Sequence, residues 1–231
     1  MSGGDNVRRT SEGVKGGKPN PRKRRPRGSL NADAILDAAE ELATGGWSAV
    51  SMRAVAGQLG AVPMALYNHF KTKDELVDGL LDRVLLRFAA PEPTGDWVED
   101  LRAFARAHRR VLEDHPWAVA PLFTQPNPGL GAAVIGELAL GILKRAGFGD
   151  ADAIAAFSGI IAINYGWASF TTVRDIDPAA RGGEVEAMLS ALPAEHFPLT
   201  VATAGEMGAY GSEAHYAFVL DAFLVGLRGK L

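Results

Sequence analysis

Residues 51–73 read SMRAVAGQLGAVPMALYNHFKTK, and this stretch restricts the fold of the chain more than any other. Ser51 suits an N-cap, because its hydroxyl accepts from an orphan N–H of a first helical turn. Met52, Val55, Ala56 and Leu59 recur at i, i+3, i+4 and i+7, a single apolar helical face. Gly60 stands where a helix closes in positive φ, and Pro63 has no N–H to lose in the first turn of the next one. That second helix is predicted over Pro63–Phe70, with Leu66 and Phe70 facing the first and small Ala56 at the crossing. The spacing is that of a helix-turn-helix, which αα-hairpins of ordinary bundles also share. Met64, Ala65, Tyr67, Asn68 and His69 are left facing outward, with Lys71 and Lys73 just beyond. Few of them could build a core, and together they suit a DNA groove.

The run L-G-x-x-x-x-x-L-Y-x-H-F-K-x-K, from Leu59 to Lys73, resembles the DNA-binding signature of the TetR (tetracycline-repressor-like) transcriptional regulators. The resemblance reaches upstream into Ile35-Leu36-Asp37-Ala38-Ala39 and downstream into Asp74-Glu75-Leu76. Val62 and Ala65 depart from it, since members commonly carry polar residues there. The departure bears on the preferred bases rather than on the mode of binding. The resemblance implies an all-α chain: a three-helix DNA-binding domain with a linker helix over 30–90, and an effector-binding and dimerisation domain over 96–231.

Charge distribution agrees. The net charge is −3, yet residues 1–30 hold nine Lys and Arg against two acids, whereas the rest holds fifteen against twenty-five. Residues 1–29 lack an apolar run and are predicted to be a disordered basic arm. Arg24, Arg25 and Arg27 end it immediately before the first folded helix, suited to phosphates or a minor groove; a merely solubilising tail is the alternative. The arm has no apolar h-region of a secretory signal. With no cysteine and an apolar fraction of 47% without an uninterrupted span-length run, a cytoplasmic protein with no membrane partner is expected.

Asn31 is placed to cap a helix with Ile35, Leu36, Ala39 and Leu42 on one face. Thr72 and Glu75 form a capping box opening a helix to about Ala90. Pro91, Pro93 and Gly95 mark a boundary. Beyond it Trp97, Leu101, Phe104, His108 and Val111 trace one helical stripe, stopped by Pro116. A loop-rich segment with Pro121, Pro126, Pro128 and Gly129 is expected next, then a helix over Leu130–Ala146. Asp150 is expected to cap a long helix, Ala151 to about Val173. A short helical patch near Val185–Leu192 and a final helix from Ser212 to Lys230 complete the chain. The long and final helices carry more apolar residues than one face needs. By the resemblance they pair with those of a second copy in a four-helix bundle. Ile154, Ile161, Tyr165, Tyr216, Val219, Leu220, Phe223 and Leu227 are the candidate dimerisation residues, burial within one subunit being the alternative.

Ligand pockets are mostly apolar with a few polar groups. Phe104, His108, Trp117, Phe123, Phe157, Asn164, Trp167 and Phe170 are the candidate walls for a flat or aromatic effector, with plain core packing as the alternative for any one of them. The sequence holds no G-x-S-x-G, no phosphate-cradling loop and no H-E-x-x-H, so no enzyme is expected and no cofactor. His108 and His115 with Glu113 and Asp114 make a weak metal grouping, and none is predicted. Tetracycline repressors hold drug-bound magnesium with a histidine near this helix end; here Asp114 falls nearest that position and His115 is one residue off, so the resemblance does not by itself imply tetracycline as effector. The expected function is a ligand-responsive regulator, a repressor, binding palindromic double-stranded DNA as a homodimer. Ser51, Met52, Arg53, Pro63, Met64, Ala65, Tyr67, Asn68, His69, Lys71 and Lys73 are the DNA-facing candidates alongside the arm. Two rivals are a regulator without a small-molecule ligand and a helical small-molecule carrier.

Overall fold

The computed structural model describes residues 30–125, 129–172 and 178–231, and all regular structure among them is helical. The three arginines singled out in the arm lie outside the described residues. α1 (Ala32–Thr44), α2 (Met52–Leu59) and α3 (Pro63–Leu66) form the head, with a 3-10 turn at Trp47–Ala49. The starts of α1 and α2 are fixed by caps legible in the sequence: Asn31 Oδ1 accepts from Ala34 N (2.8 Å) and Ser51 Oγ from Ala54 N (3.1 Å). Gly60 closes α2 in the left-handed region (φ 66°), and Ala61 N reaches back to Ala56 O at 2.9 Å.

α3 is shorter than the predicted Pro63–Phe70. His69 N and Phe70 N both donate to Leu66 O at 2.9 Å, so one carbonyl ends the helical ladder and Phe70 turns inward. α4 (Lys73–Leu85) starts at once, with Thr72 Oγ1 accepting from Glu75 N at 3.0 Å. The reciprocal bond of the capping box goes one residue further out: Glu75 accepts from Lys71 N, not Thr72 N. α4 stops at Leu85 rather than near Ala90, closing in turns that free Arg87 to reach the head.

The body follows: α5 (Trp97–Asp114), α6 (Pro116–Thr124), α7 (Leu130–Ala146), α8 (Asp150–Thr172), α9 (Pro178–Ser190), α10 (Pro198–Ala202), α11 (Ala204–Gly208) and α12 (Glu213–Arg228). The loop expected after Pro116 is a helix instead. Pro116 occupies its first position, and Pro121, though within it, is buried and its carbonyl still accepts from Gln125 N. Asp150 is the first residue of α8, not its cap, because its carboxylate is held by Lys144 Nζ at 2.6 Å. The segment after α8 is more helical than its Pro and Gly content promised: α9, α10 and α11 pack on one another, with Gly182 meeting Gly208 where α9 crosses α11.

Two apolar cores result, and α4 serves both. Leu76 and Leu80 join Ile35, Val55, Ala56, Leu66 and Phe70 in the head, while Val77, Leu81, Val84 and Leu85 join Leu101, Phe104, Leu112 and Ile160 in the body. A helix with two buried faces is a rigid joint, not a tether. α7 is pressed onto it. Gly131 N donates to Asp82 Oδ1 at 2.6 Å, and a Cβ at Gly131 would lie 2.8 Å from Leu85 Cβ and 2.9 Å from Asp82 O. The 21-residue stretch Asp150–Phe170 is long and apolar enough to cross a membrane by composition alone. Here it packs against α5, α6, α7 and α12, with Asn164 at its inner face.

Candidate nucleic-acid interface and effector core

The head sorts its side chains cleanly. Leu66 is fully buried and Phe70 nearly so, which pins α3 to the head core. The opposite side is open: Val62, Pro63, Met64, Tyr67, Asn68 and His69 are exposed, and Ala65 is half-buried between the two sets. Arg53, Lys71 and Lys73 flank this face, exposed, and none of them forms an ion pair among the described residues. Unpaired cations around an exposed reading surface are what phosphate contacts require. Two candidates do not face this way. Met52 is buried in the head core, because the first residue of α2 points under the α1–α2 packing. The Ser51 hydroxyl is occupied as the cap of α2.

The predicted effector residues fall into separate places. Phe104, His108 and Asn164 are fully buried and adjoining. Phe104 stacks on His108 and leans on Phe157, while His108 meets the edge of Tyr165, which in turn meets Phe123. Asn164 ties three helices together. Its Nδ2 donates to Ala105 O (2.8 Å) and lies 3.0 Å from His108 Nδ1, and its Oδ1 accepts from Tyr216 O–H (2.8 Å). Burial pulls the His108 pKa down to about 4, so the ring is neutral, with Nδ1 accepting and the proton on Nε2. Burial pushes Tyr165 and Tyr216 up to about 12, keeping both as donors. Arg109 lies 3.9 Å over the Tyr216 ring, with Nη1 on Glu213 at 2.6 Å. Its Nε is 2.7 Å from Glu113 yet not aligned for a hydrogen bond.

The remaining candidates lie further out. Phe123 is largely exposed at the end of α6. Trp167 donates to Gly211 O at 3.1 Å and packs on Phe170 and Tyr216. Trp117 bridges the two cores: it packs against the body core and stacks on Trp47 of the head (centroids 6.0 Å, planes 6° apart). An open cleft of about 530 Å³ lies apart from all of these, where Gly95, Asp96 and Trp97 meet Arg228 and Leu231. His115 bonds Arg87 and Val111 O, Glu113 faces Arg109, and no group of three or more His, Asp or Glu suited to a metal occurs among the described residues.

Residues 35–80 match the family described as "Bacterial regulatory proteins, tetR family", and residues 90–231 match "Tetracyclin repressor-like, C-terminal domain". The chain belongs to the TetR family of transcriptional regulators. It is 40% identical over 152 residues to an HTH-type transcriptional regulator of Saccharopolyspora erythraea, covering 64% of each chain. It is 33% identical over 136 residues to the HTH-type transcriptional repressor DrrR1 of Streptomyces coeruleorubidus, covering 58% of this chain and 50% of that one. The matches thus span half to under two thirds of those relatives. The TetR family protein ActR of Streptomyces coelicolor, solved in complex with actinorhodin, superposes with a TM-score of 0.80 at 26% identity, covering 88% of this chain and 97% of ActR.

In this TetR-family chain the candidate dimerisation residues divide. Tyr216 and Leu220 are corrected: both are wholly buried in their own subunit, on the inward stripe of α12 with Leu224. Tyr165 belongs to the His108 cluster, and the Phe223 ring lies over Gly159 of α8, half-buried; Leu227 and Ile161 are half-buried as well. Ile154 and Val219 do face outward, joined by Phe218 (74% exposed) and Val225 (66%), which sequence reasoning passed over. Their seven-residue separation on α12, two turns on one face, was the available signal.

Proposed function

We propose that this chain is a repressor that binds a two-fold DNA operator as a cytoplasmic homodimer and is released by a small aromatic or hydrophobic effector. One observation carries the reading. The exposed α3 face with its unpaired flanking cations is mounted, through the doubly buried α4, on a body whose centre is an aromatic cluster around neutral His108. A small-molecule carrier has no use for the first half of that arrangement. ActR, solved with actinorhodin, and the repressor DrrR1 support the two halves of the reading by similarity.

The bulk of the base reading falls to the exposed α3 face, while Arg53, Lys71 and Lys73 position the protein on phosphates. Asn68 suits a bidentate contact to adenine. The dimer forms across the outward faces of α8 and α12, so the two heads present related half-sites. His108 Nε2–H supplies a donor toward an effector carbonyl or hydroxyl entering between Phe104, Tyr165 and Phe123. Effector binding then favours a conformer with mismatched heads, a coupling of ~1–3 kcal/mol.

The test is fluorescence anisotropy of the full-length protein on its own upstream DNA, at two salt concentrations with non-specific competitor. The expected result is a competitor-resistant, salt-sensitive complex saturating at two subunits or a multiple, weakened at least tenfold by Tyr67→Ala. Binding abolished by competitor, or unchanged by Tyr67→Ala, rejects the interface.

A further inference from the structure

The DNA-facing side of α3 is chemically lopsided. From Gly60 to Leu66 the sequence GAVPMAL holds no hydrogen-bonding side chain at all. Two of its largest side chains are turned outward: Val62 is 66% exposed and Met64 is 73% exposed, with exposed Pro63 between them and half-buried Ala65 beside them. Their direction is fixed, because Leu66 and Phe70 anchor the opposite side in the head core and Gly60 sets the turn that leads in. Polar readers arrive only later, at Tyr67, Asn68 and His69, and the charges stand at the margins as Arg53, Lys71 and Lys73. The result is an apolar tip ringed by unpaired cations.

A ring of cations excludes an apolar protein partner and fits a polyanion. Within the major groove of DNA one apolar group projects from the base edges, the C5 methyl of thymine. Guanine is read by paired donors from Arg or Lys, and cytosine by a carboxylate. The tip of α3 offers neither.

We propose that Val62 and Met64 are specificity-determining residues that read thymine methyl groups, so each operator half-site carries thymine opposite the tip of α3. The inference rests on the operator reading above and adds to it the base chemistry. Each methyl buried against these side chains contributes about fourfold in affinity, the equivalent of one buried methylene. Asn68, one turn on, contributes its separate preference for adenine.

The experiment uses the full-length protein. Its preferred duplex is first selected from randomised DNA, and each thymine is then replaced in turn by deoxyuridine, which removes the methyl and keeps every hydrogen bond. For the wild type, deoxyuridine at one or two positions per half-site is expected to weaken binding about fourfold per methyl. The variant V62A/M64A changes only exposed side chains, and unchanged circular dichroism confirms its fold. It should bind the thymine duplex more weakly and no longer distinguish thymine from deoxyuridine. If a duplex is selected but deoxyuridine binds as tightly at every position, methyl readout is overturned while the regulator reading stands. The same holds if V62A/M64A keeps the full methyl preference. If selection enriches no sequence, the operator reading itself falls.

Discussion

His108 shows how burial converts an ordinary side chain into a pH-dependent stability element. Its ring is wrapped by Phe104, Tyr165 and Asn164, with only 1% of its surface exposed, and burial lowers its pKa from 6.5 to about 4. Above about pH 6.5 the ring is neutral whether the chain is folded or not, and its contribution is intact. Below that, the unfolded chain takes up a proton that the folded one refuses, so stability falls until about pH 4, where the folded ring also titrates. Across that window the loss is about 3 kcal/mol, and from pH 7.5 to pH 5.0 about 2 kcal/mol. Urea unfolding at those two pH values should therefore show a drop in the wild type that His108→Gln lacks, since glutamine keeps an acceptor for Asn164 without titrating. Equal pH dependence in both proteins would mean that the folded core admits the proton. The stripe through Phe104 and His108 was legible in the sequence because a helix with one buried face announces it by period. Tyr216 and Arg109 were not, because their partners stand 52 and 104 residues away and only the packing of α12 on α5 and α8 brings them together.

For elements, the same limit explains α12. A helix apolar nearly all round cannot say which of its faces meets its own subunit. Tyr216, Leu220 and Leu224 point inward, and Phe218, Val225 and Ala222 are left on the outside. α8 divides in a matching way, with Ala153, Ala156, Ile160, Asn164 and Ala168 inward and Ile154, Ala155, Ser158, Ala162 and Gly166 exposed. The outer stripe of α8 is mostly small, so another helix can approach it closely, and the outer face of α12 supplies the bulk. This complementarity is why these two faces are proposed to meet those of a second copy. Phe218→Glu with Val225→Glu tests it without touching the subunit core. Sedimentation equilibrium should find the variant monomeric at micromolar concentrations where the wild type is a dimer, with unchanged helical content. A variant that dimerises as tightly as the wild type would place the interface elsewhere. Helix boundaries were legible wherever a cap decided them, as at Asn31, Ser51, Thr72 and Ser212. They were missed at Pro121 and over 178–208, where tertiary packing overrides residues that locally disfavour a helix.

At the level of the whole molecule, the question is what makes head and body move as one. α4, buried in both cores, is the first attachment. Further attachments tie head to body: Trp47 of the 3-10 turn stacks on Trp117 of α6, and Arg87, just past α4, grips Glu40 of α1 with both terminal guanidinium nitrogens, at 2.5 and 2.8 Å, while also meeting His115. Arg83 adds an ion pair to Asp37 at 2.6 Å. α6 therefore touches the head through Trp117 and the aromatic cluster through Phe123, which makes it an element in contact with both. An aromatic pair contributes about 0.5–1.5 kcal/mol beyond its buried area, and the partly exposed Arg87–Glu40 pair about 1 kcal/mol or less. Trp47→Leu with Arg87→Met keeps the apolar bulk and removes both contacts. Hydrogen exchange should then show head amides in α1–α3 opening more readily by about 1–2 kcal/mol while the amides of α5 and α8 keep their protection, because Trp47 is only partly buried against the body core and Arg87 is no part of it. If head and body lost protection together, the two cores would be a single cooperative unit, and α4 rather than the Trp47–Trp117 and Arg87–Glu40 contacts would carry the coupling. If neither changed, the stack and the ion pair would contribute nothing to the joint, and a signal from the effector core would have to reach the head through the contact of α7 with Asp82 on α4.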